Sequence, residues 1–345
     1  MKRFAPILLI IPMLAVYAFR NPSGQHAIIQ EDCLECHKDL IENKVVHPIT
    51  ETGCQFCHTS NGEKHPSKNT GFEFTAGYPE MCTNCHDNKN TMSSVHSPVE
   101  DGDCSVCHEP HSSANKSLIH DSFSENACLD CHYIDTDFAK SVHGPVMEGK
   151  CQTCHDPHQS SHTFQLKKDS KALCLECHSE EIQSDDRKIR SISASLVKGN
   201  KIHEPIKDAD CISCHFPHTG DFPYQLVGNY PIKQYAEATV ENFELCFKCH
   251  SEELLTEHST VKGTNFRNGT KNLHFLHISG NRGRNCNLCH NAHGAPNDHL
   301  LENAVLFGKW LMPMGLELTE NGGSCATGCH KRLEYSRVLE QTAKE

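Results

Sequence analysis

The 345-residue chain is short of the material that usually fills a protein. It has a single Trp, and aromatic residues make up only 7%. The 37% hydrophobic content counts all 22 cysteines, about 6% of the chain, so about 31% remains. That is too lean for a conventional core of this size, and lean chains are held by disulfides, metals or cofactors. A basic stripe is also missing: 44 acids against 32 bases give a formal charge of −12. Nucleic acid is therefore a poor partner, and the acidic surface implies only solubility.

The one long apolar run is at the start. MKRFAPILLIIPMLAVYAFRN opens with Lys-Arg, runs apolar from Phe4 to Phe19, and then turns polar. This is the layout of a secretory signal over residues 1–18, with Val16-Tyr17-Ala18 as a small-residue cleavage site. An uncleaved anchor is the rival, but the run is short for a bilayer and carries Pro6 and Pro12. No cysteine lies there for a lipid anchor.

What the chain has in excess is Cys and His. The cysteines fall into eleven close pairs: Cys33 and Cys36, Cys54 and Cys57, Cys82 and Cys85, Cys104 and Cys107, Cys128 and Cys131, Cys151 and Cys154. They continue with Cys174 and Cys177, Cys211 and Cys214, Cys246 and Cys249, Cys286 and Cys289, Cys325 and Cys329, with none left over. Ten pairs are CxxC, and the last, CATGC, has one more residue. A histidine follows every pair: His37, His58, His86, His108, His132, His155, His178, His215, His250, His290 and His330. An exported disulfide framework or a set of zinc sites would explain the cysteines but not the histidine. Only 27 of 345 residues are His, about 8%, so eleven out of eleven excludes chance. CxxCH attaches c-type haem through two thioethers and turns the adjacent His onto the iron. The spacing puts both sulfurs on one side of a tight turn and the His on the first helical turn.

The motifs alternate. One type is flanked by an upstream His, often H-x-P, and a downstream His, often P-H: 95–111, 142–158 and 202–218, with looser copies at 45–65 and 277–293. The other type, starting at Cys33, Cys82, Cys128, Cys174, Cys246 and Cys325, is plain. Plain and flanked motifs alternate strictly, so the repeating unit is a pair. Eleven six-coordinate irons need eleven second ligands. The flanked copies supply His47 and His65, His96 and His111, His143 and His158, His203 and His218, His277 and His293. His26, seven residues before Cys33 as His47 is before Cys54, is the expected eleventh. One flanking His can serve its own motif and the other the plain partner. His274 competes with His277; His120, His162, His258 and His299 have no fixed offset and read as surface or supporting residues.

This alternation of H-x-P, CxxCH-x-P-H and plain C-L-x-C-H resembles the paired-CxxCH (doubled CxxCH) multihaem cytochromes c, over essentially the whole chain after the leader. The resemblance implies bis-histidine low-spin haems in stacked contacts, export, and respiratory electron transfer. Members include periplasmic carriers, porin-threaded outer-membrane cytochromes and extracellular filaments. About 30 residues per motif implies that the macrocycles themselves are the core. The expected fold is mostly irregular, with short α-helices and little or no β-sheet. Residues 19–185, with seven motifs, read as a compact array and 186–345, with four, as a looser one; a single continuous array is equally consistent.

The expected function is electron carriage along eleven haem c groups, in the periplasm, at the outer membrane or outside the cell, between other redox proteins. A porin or self-assembly into a filament is a possible setting. The alternative is a reductase of nitrite, hydroxylamine or a sulfur oxyanion, which needs an iron with an open face. GGSCATGCH falls where the alternation requires a plain motif and keeps both cysteines and the His. It reads as a working eleventh site, with Gly328 accommodating the extra residue.

Overall fold

A computed structural model describes residues 33–66, 71–123, 126–184, 187–208, 211–280 and 283–339. The expected leader over residues 1–18, its expected cleavage site and His26 lie outside them. By backbone contacts the chain forms two compact units, one from residues up to Met81 with Cys107–Asp121, the other from Cys82–Val106 with everything after Ser122.

The expected irregular, short-helix architecture is what the chain adopts. The longest described helix, α1 (Ser170–His178), has nine residues and starts where the Asp169 carboxylate accepts the Ala172 N–H at 2.9 Å. No helix of the described residues is long and apolar enough to cross a membrane. The H-x-P segments explain the other short helices. In Ser97–Glu100, Gly144–Met147 and Glu204–Lys207, the His is the extended N-cap and Pro occupies the first turn. Proline fits there because its missing N–H is unsatisfied at a helix start anyway. A left-handed glycine then reverses the chain into the next CxxC: Gly102 at φ 76° and Gly149 at φ 66°.

Successive flanked copies are tied by two-residue antiparallel ladders. Val45 and Val46 pair with Ser113 and Ser112, Ser94 and Val95 with Ser160 and Gln159. Ser141 and Val142 pair with Gly220 and Thr219, Lys201 and Ile202 with Ala295 and Gly294. In each, the upstream His donates its backbone N–H to the carbonyl of the next copy's downstream His: His47 to His111 at 2.8 Å, His96 to His158 and His143 to His218 at 2.9 Å, His203 to His293 at 3.4 Å. Ser113 and Ser160 are buried at these ladders, each donating its hydroxyl to a carbonyl six residues on, Ile119 and Leu166.

Three-residue strands pair at His58–Ser60 with Phe72–Phe74 and at Ile182–Ser184 with Arg187–Ile189, and the four-residue strands of the described residues lie near the C-terminus. Strands β1 (Ala304–Phe307) and β2 (Trp310–Pro313) form a hairpin. Strands β3 (Leu316–Thr319), β4 (Gly322–Cys325) and β5 (Leu333–Ser336) form a three-stranded sheet in that order. LEYSRVLEQTAKE reads in sequence as a polar terminal helix, but its described part begins as β5. The Leu-Glu-Tyr-Ser alternation suits a strand, and glycine-rich β4 offers a free edge for pairing.

Side-chain cores are confined to the same end. Among the described residues every fully buried apolar side chain lies at or after Leu226. One cluster joins Leu226, Tyr230, Phe243, Leu255 and Ile278, and a second joins Val305, Met312 and Met314. The described residues before Leu226 pack no apolar core of their own, as the lean composition implies.

Candidate haem-binding sites

Each CxxCH is one helical turn. The motif histidine's N–H donates to the carbonyl four residues back: His37 to Cys33 and His86 to Cys82 at 3.0 Å, His132 to Cys128 and His250 to Cys246 at 2.9 Å, His290 to Cys286 at 3.0 Å. The second cysteine closes the same turn onto the first. Cys57 N–H meets Cys54 O, Cys85 meets Cys82 and Cys249 meets Cys246, all at 3.2 Å. Cys36 meets Cys33, Cys131 meets Cys128 and Cys214 meets Cys211, all at 3.3 Å. Cys177 lies inside α1, just before His178.

None of the 22 cysteines, all within the described residues, is joined in a disulfide. The second cysteines also divide by motif type. In the plain motifs Cys36, Cys85, Cys131, Cys177, Cys249 and Cys329 are exposed. In the flanked motifs Cys57, Cys107, Cys154, Cys214 and Cys289 are half-buried. The flanked copies are the ones held by ladders, and the plain ones lack that cover.

CATGCH differs: Cys325 ends strand β4, and His330 N–H reaches Thr327 O at 3.3 Å instead. Gly328 is not in a left-handed conformation, so the expected reason for glycine there does not hold. A Cβ would overlap the Trp310 ring, so a larger residue has to displace this half-exposed indole.

Consecutive motifs touch through their thiols. The Cys174 thiol bonds the Cys211 thiol, which together with burial pushes it up. Cys246 and Cys286 form the same contact, and it raises Cys246. Burial and the nearby Cys325 push Cys289 up to about 11.

The imidazoles pair across the fold. Downstream histidines face the motif histidine of the preceding flanked copy: His111 and His58 with ring centres 6.1 Å apart, His218 and His155 at 5.9 Å, His293 and His215 at 6.3 Å. Upstream histidines face the following plain motif: His96 and His132 at 5.9 Å, His143 and His178 at 6.0 Å, His203 and His250 at 6.1 Å. In these pairs neither flanking His faces the histidine of its own motif. His65 faces His37 at 6.0 Å, and His274 faces His290 at 6.2 Å. His47 and His158 sit on their ladders, as above; His26 lies outside the described residues.

The ring nitrogen nearer the backbone is held in many of these residues. In four flanked motifs the histidine Nδ1 meets a carbonyl nine residues on: His108 with Ser117 at 2.8 Å, His155 with Phe164 at 2.8 Å, His215 with Tyr224 at 2.9 Å and His290 with His299 at 2.8 Å. His143 Nδ1 meets Pro217 O at 3.1 Å, and His330 Nδ1 meets Lys331 O at 2.7 Å. With Nδ1 occupied as a donor, the other nitrogen, Nε2, is left as the basic, metal-binding atom. Burial lowers the pKa of His58, His143, His178, His203 and His218, and takes His274 and His293 down to about 4, which keeps these imidazoles neutral.

Three observations fit this frame to haem. A metal–imidazole bond of about 2 Å on each side, with about 1 Å more to each ring centre, separates two rings on one ion by about 6 Å. Apolar residues inside the motifs are left exposed by the polypeptide: Phe56 at 63%, Leu129 at 48% and Ile212 at 53%. They offer apolar surface to a flat apolar ring. Among the described residues no three His, Cys, Asp or Glu side chains converge on a bare-ion site, which is a poor match to zinc.

The four histidines without a fixed offset take supporting or surface positions. The His299 carbonyl holds His290, His120 Nδ1 lies 3.2 Å from Glu109, and His258 packs on Phe275 at 3.9 Å. His162 N–H donates to the Ser160 hydroxyl at 3.0 Å.

The family model of the doubled CXXCH motif matches the chain four times, at residues 47–91, 96–135, 143–183 and 203–254, just over half its length. The chain belongs to this family, and its motifs indicate covalently bound haem c: it is a multihaem c-type cytochrome. No curated protein matches the chain.

Proposed function

We propose that the protein is an electron conduit carrying eleven bis-histidine c-haems, acting outside the cytoplasm between other redox proteins. The observation that carries this reading is the run of imidazole pairs at about 6 Å, each uniting a motif histidine with a histidine of another segment. When bound, haem c supplies one-electron exchange at iron. The chain's own residues do the rest. Cys33 through Cys329 tether, the histidine pairs ligate from both sides, and the Nδ1 hydrogen bonds fix ring orientation and basicity. Thiol contacts between consecutive motifs bring the attachment points close together along the sequence. Two filled axial positions leave no site for substrate, which favours carriage over reduction of nitrite, hydroxylamine or a sulfur oxyanion.

The apolar opening run and the haem chemistry of the family support export. Co-purification with a porin, or microscopy of secreted material for filaments, distinguishes the two settings that the resemblance implies. The test of the main reading is intact mass and pyridine haemochrome on the mature protein, with electron paramagnetic resonance of the oxidised form. Eleven haems, all low-spin, are expected. Fewer than eleven, or a high-spin iron with rapid nitrite turnover, overturns it.

A further inference from the structure

The repeat runs out at its C-terminal end. His58, His155 and His215 each face the downstream histidine of the next flanked copy. His290 belongs to the flanked copy at 277–293, and the motif that follows it, CATGCH, is plain and brings no downstream histidine. Its ring instead faces His274 at 6.2 Å and 18°, within the range of the other pairs.

His274 lies on the six-residue helix α2 (Leu273–Ile278), held by a rigid start. Asn272, 1% exposed, accepts the N–H groups of His274 and Phe275 and donates to the carbonyls of Glu253 and Glu257. The His274 Nδ1 is partnered by the Thr264 hydroxyl at 2.9 Å, which leaves Nε2 on the side of His290. Phe266 stands edge-on to His274 at 5.3 Å and stacks on His277 at 5.5 Å, so one ring braces both.

His277 is turned to a different neighbour. Its Nδ1 meets Leu273 O at 2.6 Å. The hairpin leading into α2 docks on β5, just past His330: Gly269 N–H donates to Ser336 O at 2.7 Å and Arg267 to Arg337 O at 2.9 Å. Phe266 also meets Tyr335 of β5 edge-on at 5.2 Å.

We propose that His274 and His277, one turn apart on α2, ligate two different irons: His274 opposite His290, and His277 opposite His330. The inference rests on the haem reading above and deepens it. His274 and His277 are then partners, not competitors. Counting both, the flanking histidines from His47 to His293 number eleven and match the eleven motif histidines, so His26 is not required.

The experiment uses the full-length, exported holoprotein. Wild type, His274→Ala, His277→Ala and His26→Ala are compared by haem count and by electron paramagnetic resonance. Wild type with fewer than eleven haems defeats the haem reading itself. With eleven present, His274→Ala and His277→Ala are each expected to convert one iron in eleven to high spin. Added imidazole should reverse the change, which a merely structural loss would not permit. His26→Ala is expected to stay fully low-spin. The proposal is overturned if His274→Ala stays low-spin or if His26→Ala does not. Should His274→Ala fail to accumulate, His274→Met keeps a ligand. It is then expected to give one His/Met iron of raised potential, and unchanged potentials overturn the proposal.

Discussion

His155 and Phe164 are coupled through a single hydrogen bond that recurs along the chain. The His155 Nδ1 meets the Phe164 carbonyl at 2.8 Å, and the next carbonyl, Gln165, accepts the Asp156 N–H at 2.8 Å. Both turn residues are left-handed, at φ 59° and 52°. Ser117-Leu118, Tyr224-Gln225 and His299-Leu300 repeat this geometry. Two successive left-handed residues are costly for L-amino acids, of order 1–2 kcal/mol each. They persist because the turn aims two adjacent carbonyls at one motif histidine and its neighbour. Phe164 is 73% exposed, so substitution loses little packing. Phe164→Val is expected to destabilise by about 1–2 kcal/mol and Phe164→Gly to be near neutral, read by denaturant unfolding.

The Gly328–Trp310 contact predicts an asymmetric pair. Gly328→Ala forces the indole aside and should cost about 1–3 kcal/mol, the usual range for overpacking. Trp310→Ala in the same chain should recover part of that loss. Because Trp310 is the only tryptophan, its fluorescence reports the displacement directly. Additive losses in the double-mutant cycle would show that the contact carries no energy.

Asn272 predicts a separation of capping from carbonyl bonding. Asn272→Ala removes the α2 cap and the amide bonds to the part-buried Glu253 and Glu257 carbonyls, an expected cost of about 1–3 kcal/mol. Asn272→Asp keeps the acceptor for His274 and Phe275 but loses the amide donor, so it should fall between. Thermal unfolding of the three proteins gives the order.

Asp156 predicts a pH effect of known sign. Burial works to raise its pKa, but the N–H groups of His158 and Gln159 more than offset this and hold the carboxylate below its usual range. A depressed folded value contributes stability above the unfolded value of about 3.9, and loses it as pH falls through the folded one. The group is largely exposed, so the effect is small, under about 1 kcal/mol. Asp156→Asn should remove the acid dependence and keep the fold, since Asn291 accepts His293 N–H at 3.0 Å in another copy. A stability-against-pH curve of wild type and variant compares them.

The motifs and flanking histidines were legible in the sequence because they recur at fixed offsets. Which histidine faces which was not. That choice is made by ladders of two residues, such as Val142 with Thr219, which join segments more than sixty residues apart and at this one leave only a V-H and an H-T behind in the sequence. His274 lacked any offset to match, because it ends the repeat rather than continuing it. The strands from Ala304 to Ser336 were missed for a different reason. Their pairing depends on partners such as Gly322 and Gly323, whose bare backbone has no apolar pattern to read.

The ladders also decide how the chain can change length. Each ties one copy to the next by the same His N–H to His carbonyl bond. Excising residues 143–202 would leave His96 facing His218 across strands of matching register, just as it now faces His158. The scaffold is therefore modular, growing or shrinking by whole paired units, while α2 serves as a terminator that supplies the final ligands from within.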